Sequence, residues 1–278
     1  MRKNYRYPTV LTIAGFDGSG GAGIQGDIKT ISALGCFATS VLTALPVQNT
    51  RGVRSIYPIP CQAVNDQLAA ILEDIFPDAI KIGMVHTRAL VETTVDALAK
   101  HPKIPLVFDP VMVASSGHRL IENETITAIV ERLFPVADLL TPNIDEAAVL
   151  AEMPIRTPDD MYVAGEKIRR LGCKALLLKG GHLDSATLTS LYFDKSGHVH
   201  TYDSSKLQTD NTHGTGCTLS SAIASYLAQG LPMHESVTAG LAYTHRAIMS
   251  GMDVLTGKGN GPLNHFFDPQ QLIKTHLN

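Results

Sequence analysis

Residues 105–110 read Pro-Leu-Val-Phe-Asp-Pro: three consecutive apolar side chains that end in a carboxylate and a second proline. The run lacks the alternation of a strand with one wet face, so a strand here must be covered on both faces. Comparable runs occur at TVLTIAG (9–15), FATSVLTAL (37–45), AIKIG (79–83), ADLLTP (137–142) and KALLLKG (174–180). Between most of them lie segments such as CQAVNDQLAAILEDI and DMYVAGEKIRRLG, with apolar residues at i, i+3 and i+4. Apolar strands separated by helices predict an α/β fold whose sheet is mainly parallel and sandwiched between helical layers. Near 188–202 two alternating runs flank Lys195-Ser196-Gly197, which reads as a hairpin. Helices are expected at 216–229 and 233–250. No Pro/Ser-rich linker, repeat or low-complexity segment interrupts the 278 residues, so residues 1–278 are expected to form one domain.

Composition narrows the function. The chain is 44% hydrophobic and 18% charged, within the range of globular proteins. A net charge of −3 supplies no basic excess for phosphate backbones or anionic lipid, so no nucleic-acid or membrane partner is expected. The polar start MRKNYRYP and the short apolar run ending before Asp17 do not match a signal peptide, and no stretch approaches the ~20 apolar residues of a membrane span. Cys36, Cys61, Cys173 and Cys217 form no CxxC pair. A cytoplasmic protein with reduced thiols is the expectation.

In an open parallel sheet ligands bind beyond the carboxyl ends of the strands, so the functional residues are expected there. Gly18, Gly20 and Gly23 satisfy G-x-G-x-x-G after the first strand, but the region about 20 residues on, ATSVLTALPVQN, has no acid to hold a ribose. That weakens a dinucleotide reading and leaves a tight turn or close backbone approach to a small ligand. No Walker A motif is present. Lys179 leaves KALLLKGG where a phosphate could sit, or is an ordinary strand-ending lysine. Asp109 closes PLVF, and Asn143-Ile-Asp-Glu146 follows ADLLTP. Two carboxylates at neighbouring strand ends suit Mg²⁺, which keeps several waters; Asn143 and Glu146 equally match a helix N-cap with its partner three residues on. The Gln48 amide could read the donor and acceptor edge of an aminopyrimidine, or cap a turn.

The stretch Asn211-Thr-His-Gly-Thr-Gly-Cys217 precedes the apolar run TLSSAIASYLA. Its glycines would let the amides of Gly214, Thr215, Gly216 and Cys217 converge at a helix start, an anion site that needs no charged side chain. Cys217 would lie in the first turn, where the helix dipole favours thiolate. The competing reading is a buried thiol packing as a small hydrophobe.

Together these pieces resemble the hydroxymethylpyrimidine/phosphomethylpyrimidine kinases of thiamine biosynthesis, in the ribokinase-like superfamily. TIAGFDGSGGAGIQGDIKT, QNTRGV, KIGM, DPVMV, SSGHRL, TPNIDEA, KGGH, NTHGTGCTLSS and GKGNGPLNH occur in family order from about residue 9 to His265. The resemblance implies a three-layer α/β/α ribokinase-like fold and an ATP-dependent enzyme that phosphorylates an alcohol and then the resulting monophosphate. It implies that Gln48 reads the pyrimidine with Gly15 and Met84 lining its pocket, and that Lys179, with Asn143 nearby, contacts the nucleotide. It implies Mg²⁺ at Asp109 and Glu146, an anion hole at 214–217, Cys217 where relatives carry an aspartate base, and a homodimer. The chain departs from the family at Phe16-Asp17-Gly18, where Ser-Asp-Pro is common, and at Ser115-Ser116-Gly117, where Lys-Ser-Gly is common. A pyridoxal kinase, a non-catalytic small-molecule sensor and a dehydrogenase are the rival readings.

Overall fold

The computed structural model describes residues 3–112, 121–181 and 187–277; Ser115-Ser116-Gly117 lies outside them. In chain order the elements are β1 (Tyr5–Arg6), β2 (Thr9–Ala14), α1 (Gly23–Ala33), β3 (Phe37–Leu42), β4 (Ala44–Asn49), β5 (Gly52–Pro58), α2 (Cys61–Asp74), β6 (Ala79–Ile82) and α3 (Arg88–Leu98). They continue with β7 (Leu106–Phe108), α4 (Asn123–Ala128) extended by a π turn (Ile129–Leu133), β8 (Leu139–Leu140), α5 (Ile144–Ala151), α6 (Pro158–Arg170) and β9 (Leu176–Leu178). The last are β10 (Thr187–Phe193), β11 (Val199–Ser205), α7 (Thr215–Ala228), α8 (Met233–Gly251) and β12 (Thr275–His276).

The main sheet has eight strands in the order β11-β10-β9-β8-β7-β6-β2-β3. From β3 to β9 neighbours are parallel; the β10–β11 hairpin joins antiparallel to β9. Successive side chains of a strand point to opposite faces, and the core divides accordingly. Leu11, Ile13, Ile80, Ile82, Leu106, Phe108, Leu140, Leu176 and Leu178 pack against α2 to α6. Val10, Ala79, Val107, Leu139 and Leu177 pack against Ile31 of α1, Leu219 and Ile223 of α7, and Val237 of α8. This is the three-layer α/β/α arrangement, with the strands buried on both faces as their unbroken apolar runs require.

One expected element is different. The run 37–45 is two strands: β3 ends at Leu42 in the sheet, and β4 turns away to pair antiparallel with β5 in a separate ribbon. Thr43 marks the break, its hydroxyl donating to the Met84 carbonyl (2.6 Å) and its N–H to that of Ala14 (3.0 Å).

The segment after α8 locks the first glycine loop. The Tyr243 hydroxyl donates to the His265 carbonyl (2.6 Å), and His265 Nε2 lies 3.1 Å from the Gly21 carbonyl oxygen. A carbonyl only accepts, so Nε2 carries the proton. Burial, helped by the Lys29 ammonium, holds the His265 imidazole down to about 4 from an ordinary 6.5. Between those values the unfolded chain binds a proton that the folded chain does not, so this contribution to stability is present above pH 6.5 and lost as pH falls toward 4. His265→Gln, whose amide can keep the bond to Gly21, is therefore expected to flatten the urea-unfolding free energy against pH by about 1 kcal/mol per unit across that window. An unchanged slope would remove His265 as the responsible group.

Candidate active site

The strands β2, β6, β7, β8 and β9 end on one edge, and a cavity of about 560 Å³ opens there. Its walls include eleven residues singled out from the sequence: Gly15, Gln48, Met84, Asp109, Asn143, Glu146, Lys179, Gly214, Thr215, Gly216 and Cys217. At one end Gly15 faces Met84 closely enough that a Cβ would sit 3.3 Å from its sulfur. The β4–β5 ribbon roofs this end with Pro46, Gln48, Val53 and Ile56. A register shift between Val47 and Gln48 interrupts the ribbon ladder, the kind of bulge that re-aims a side chain.

At the other end sits a cluster of charge. Lys179 Nζ donates to Asp109 Oδ1 (2.9 Å), which also accepts from the Thr141 hydroxyl (2.9 Å). Burial works to raise the Asp109 carboxyl, but the ammoniums of Lys179 and Lys81 prevail and hold it below the usual range. Glu146 behaves oppositely: burial, assisted by the Asp109 charge, pushes it above the usual carboxylate range. Both earlier readings of Asn143 and Glu146 meet here. They form a capping box on α5, with Glu146 N–H donating to Asn143 Oδ1 (2.9 Å) and Asn143 N–H to Glu146 Oε2 (2.8 Å). Among the described residues, Glu146 Oε1 and Asp109 Oδ2 each keep only a 3.5 Å contact, from Met112 N–H and the Ser220 hydroxyl. Each carboxylate thus retains a weakly engaged oxygen, which fits a hard cation that takes one or two protein ligands.

Gly214 is the N-cap of α7 with φ +86°. It packs so closely on the other glycine loop that a Cβ would overlap the Gly21 carbonyl, and only glycine satisfies both conditions. The expected convergence of amides needs one correction. Thr215 N–H donates to the Thr212 carbonyl (3.2 Å), whereas those of Gly214, Gly216 and Cys217 have no acceptor among the described residues. The expected thiolate needs another. Cys217 is half-buried in the first turn of α7 and shares the cavity wall with Gly23, the first residue of α1. Yet burial pushes its thiol up to about 11 against the pull of Lys81, with Asp27 and Asp109 opposing that pull. Desolvation outweighs the dipole, and the neutral thiol is favoured.

Sequence reading passed over two pairs. Asp17, fully buried, accepts from Ser19 and Ala22 N–H (2.9 and 2.7 Å) and lies 2.8 Å from His213 Nε2. It ties the loop after β2 to the loop before α7. Lys81, on β6, forms a fully buried ion pair with Asp27 of α1 at 2.8 Å. The partners lie far apart in the chain, so no local spacing reveals them. The available signal was the lysine inside the apolar strand AIKI, because a charge there needs a buried partner.

The phosphomethylpyrimidine kinase family model matches residues 17–264. The hydroxymethylpyrimidine/phosphomethylpyrimidine kinase of Rhizobium meliloti is 44% identical over 257 residues, 92% of this chain and 96% of that protein. The thiamine biosynthesis bifunctional protein ThiED of Geobacter sulfurreducens is also 44% identical over 257 residues, and there the chain spans about half of the relative's length (52%). Among solved structures, the ADP complex of Bacillus subtilis pyridoxal kinase superposes with a TM-score of 0.86 at 32% identity, covering 94% of this chain and 98% of that one. A family match over most of the chain, 44% identity to full-length relatives and a shared ribokinase-like fold place this chain in the phosphomethylpyrimidine kinase family.

Proposed function

We propose that this chain transfers the γ-phosphoryl group of ATP to the hydroxymethyl oxygen of 4-amino-5-hydroxymethyl-2-methylpyrimidine and then phosphorylates the monophosphate to the diphosphate. The observation that carries the proposal is that the unpartnered amides at the start of α7 and the Lys179 ammonium open onto the same cavity as Gln48, Gly15 and Met84. Phosphoryl transfer asks mainly for positioning and for neutralising charge on the moving group. Amides of Gly214, Gly216 and Cys217, with Lys179, suit that group; the Gln48 amide suits an aminopyrimidine edge, and the walls of Gly15, Met84 and Pro46 suit its faces. Asn143, beside Lys179 in a short parallel bridge, suits the nucleotide side. The ADP bound to the Bacillus subtilis relative supports a nucleotide in this fold.

Asp109 and Glu146 would hold Mg²⁺. When bound, that ion neutralises phosphate charge and orients the nucleotide. The protein's own groups then have different tasks in the two steps. An alcohol must lose its proton as it attacks, and the deprotonated form of Cys217, the titratable group at the proposed anion hole, would receive it. A phosphate nucleophile already carries negative charge and needs little help.

Pyridoxal is the second reading, because a pyridoxal kinase shares the fold; identity of 44% to hydroxymethylpyrimidine kinases against 32% favours the first. A mass-spectrometric assay of Mg-ATP with hydroxymethylpyrimidine, its monophosphate and pyridoxal side by side decides between them. Phosphate should appear on the pyrimidine acceptors, and turnover of pyridoxal far above both would reverse the assignment. No helix among the described residues is long and apolar enough to cross a membrane. With four free cysteines, we propose a cytoplasmic enzyme; a homodimer follows from the resemblance and is tested by a light-scattering mass of twice 29.8 kDa.

Cys217→Ser should slow phosphorylation of the alcohol about 10² to 10⁴-fold, the range of general-base help, and leave the monophosphate step much less affected. Equal losses would assign Cys217 to positioning. Gly214→Ala serves as the contrast. It displaces the amides used in both steps, so both rates should fall about 10²-fold or more together, with near-normal far-UV circular dichroism.

A further inference from the structure

The β4–β5 ribbon carries Gln48 at one end of the cavity, yet it belongs to no larger sheet. A two-stranded ribbon by itself is at best marginally stable in water, and this one leaves Leu45, Val47 and Tyr57 exposed. Something else must hold it. Among the described residues its hydrogen bonds to the rest of the chain fall at two places, one at each end. At the root the Ala44 carbonyl accepts the Phe16 N–H (2.9 Å). At the tip the Thr50 hydroxyl oxygen accepts the N–H groups of Lys258 (3.2 Å) and Gly259 (3.1 Å). Gln48 lies between these anchors, just past the register shift that interrupts the ladder.

The tip contact is closely built. Gly257 has φ +78°, and a Cβ there would overlap the Thr50 hydroxyl; one on Gly259 would overlap the Thr50 carbonyl. A side chain at either position would push the loop off the ribbon. The same loop reaches the other side of the site. Asn260 forms part of the cavity wall, the Gly261 carbonyl accepts the His213 N–H (3.1 Å), and a Cβ on Gly21 would meet Pro262 at 2.8 Å. Asn211 closes the attachment, its Nδ2 donating to the carbonyls of Gly251 and Val254 (2.7 Å each). Residues 257–262 therefore run as a strap from the ribbon tip to the loops that carry Gly21 and Gly214, which gives the stretch GKGNGPLNH (257–265) a structural task.

We propose that Thr50 is a positioning residue: its hydroxyl latches the ribbon to the 257–262 strap and so sets where Gln48 stands relative to the amides heading α7. The inference rests on the kinase reading above, in which Gln48 meets the acceptor ring. With the latch made, the ribbon is held at both ends and the Gln48 amide meets the ring in one pose. With the latch broken, the ribbon stays tethered at Ala44 alone. The apparent affinity for the acceptor then falls by the fraction of time the ribbon is in place. Lys179 and Asp109 stand at strand ends of the main sheet, and their contact does not pass through the ribbon.

The test uses the full chain with Thr50→Val, which keeps the shape and removes the accepting oxygen, and Thr50→Ser, which keeps the hydroxyl. Hydrogen–deuterium exchange without ligands reads the latch itself. In Thr50→Val the amides of residues 44–58 should exchange about tenfold faster, with those of β2, β6 and β7 unchanged. KM for hydroxymethylpyrimidine should rise about tenfold, while kcat and the KM for ATP stay within about threefold. Thr50→Ser should match the parent in both readings within about threefold. In a Gln48→Ala background Thr50→Val should change the acceptor KM less than about threefold, because the group it positions is gone. An unchanged acceptor KM in Thr50→Val, the full loss repeated in the Gln48→Ala background, or ribbon amides that exchange at the parent rate each overturn the proposal. A parent chain inactive toward both pyrimidine acceptors overturns the kinase reading instead, and the exchange arm still decides whether Thr50 holds the ribbon.

Discussion

The contact between two glycine loops governs the site. Gly214 at the head of α7 rests against the Gly21 backbone ahead of α1 with no room for a side chain, and Asp17 and His213 join the same two loops at 2.8 Å. Two helix N-termini are thereby brought to one place, and the N–H groups of Gly214, Gly216 and Cys217, which have no acceptor among the described residues, open onto the cavity there. The sheet makes this possible, since its parallel strands deliver Gly15, Met84, Asp109, Asn143 and Lys179 to a single edge.

Burial sets the electrostatic character of that edge. It presses Glu146 and Cys217 toward their neutral forms, and the ammoniums of Lys81 and Lys179 press the other way. The charges at the proposed anion hole therefore nearly balance, and a nucleotide with its cation would add the next decisive charges. The neutral form at the head of α7 also protects the sulfur, since the thiolate is the reactive form.

Much of this could be read in the chain. Unbroken apolar runs such as PLVF predict doubly covered parallel strands, and the helices at 61–74, 158–170, 215–228 and 233–251 fall within one or two residues of their periodic patterns. The carboxylates and lysine at strand ends, and the glycines ahead of α7, come together because parallel topology sends all strand ends to one edge. What escaped is long-range or energetic. The β4–β5 ribbon leaves the sheet at Thr43 with no glycine or proline to mark the turn. Lys81 finds Asp27, and Asp17 finds His213, across distances in sequence that no motif spans. The protonation of Cys217 depends on weighing desolvation against a dipole, and that comparison needs the depth of the sulfur in the fold.

The central claim is that the amides heading α7 receive the phosphoryl group in transit. A crystal structure with a non-hydrolysable ATP analogue, Mg²⁺ and hydroxymethylpyrimidine addresses it directly. The account predicts γ-phosphate oxygens within hydrogen-bonding distance of the N–H groups of Gly214, Gly216 and Cys217, with the hydroxymethyl oxygen on the opposite side of the phosphorus and the ring against Gln48. A triphosphate lying elsewhere, with residues 214–217 bare of it, would contradict the account.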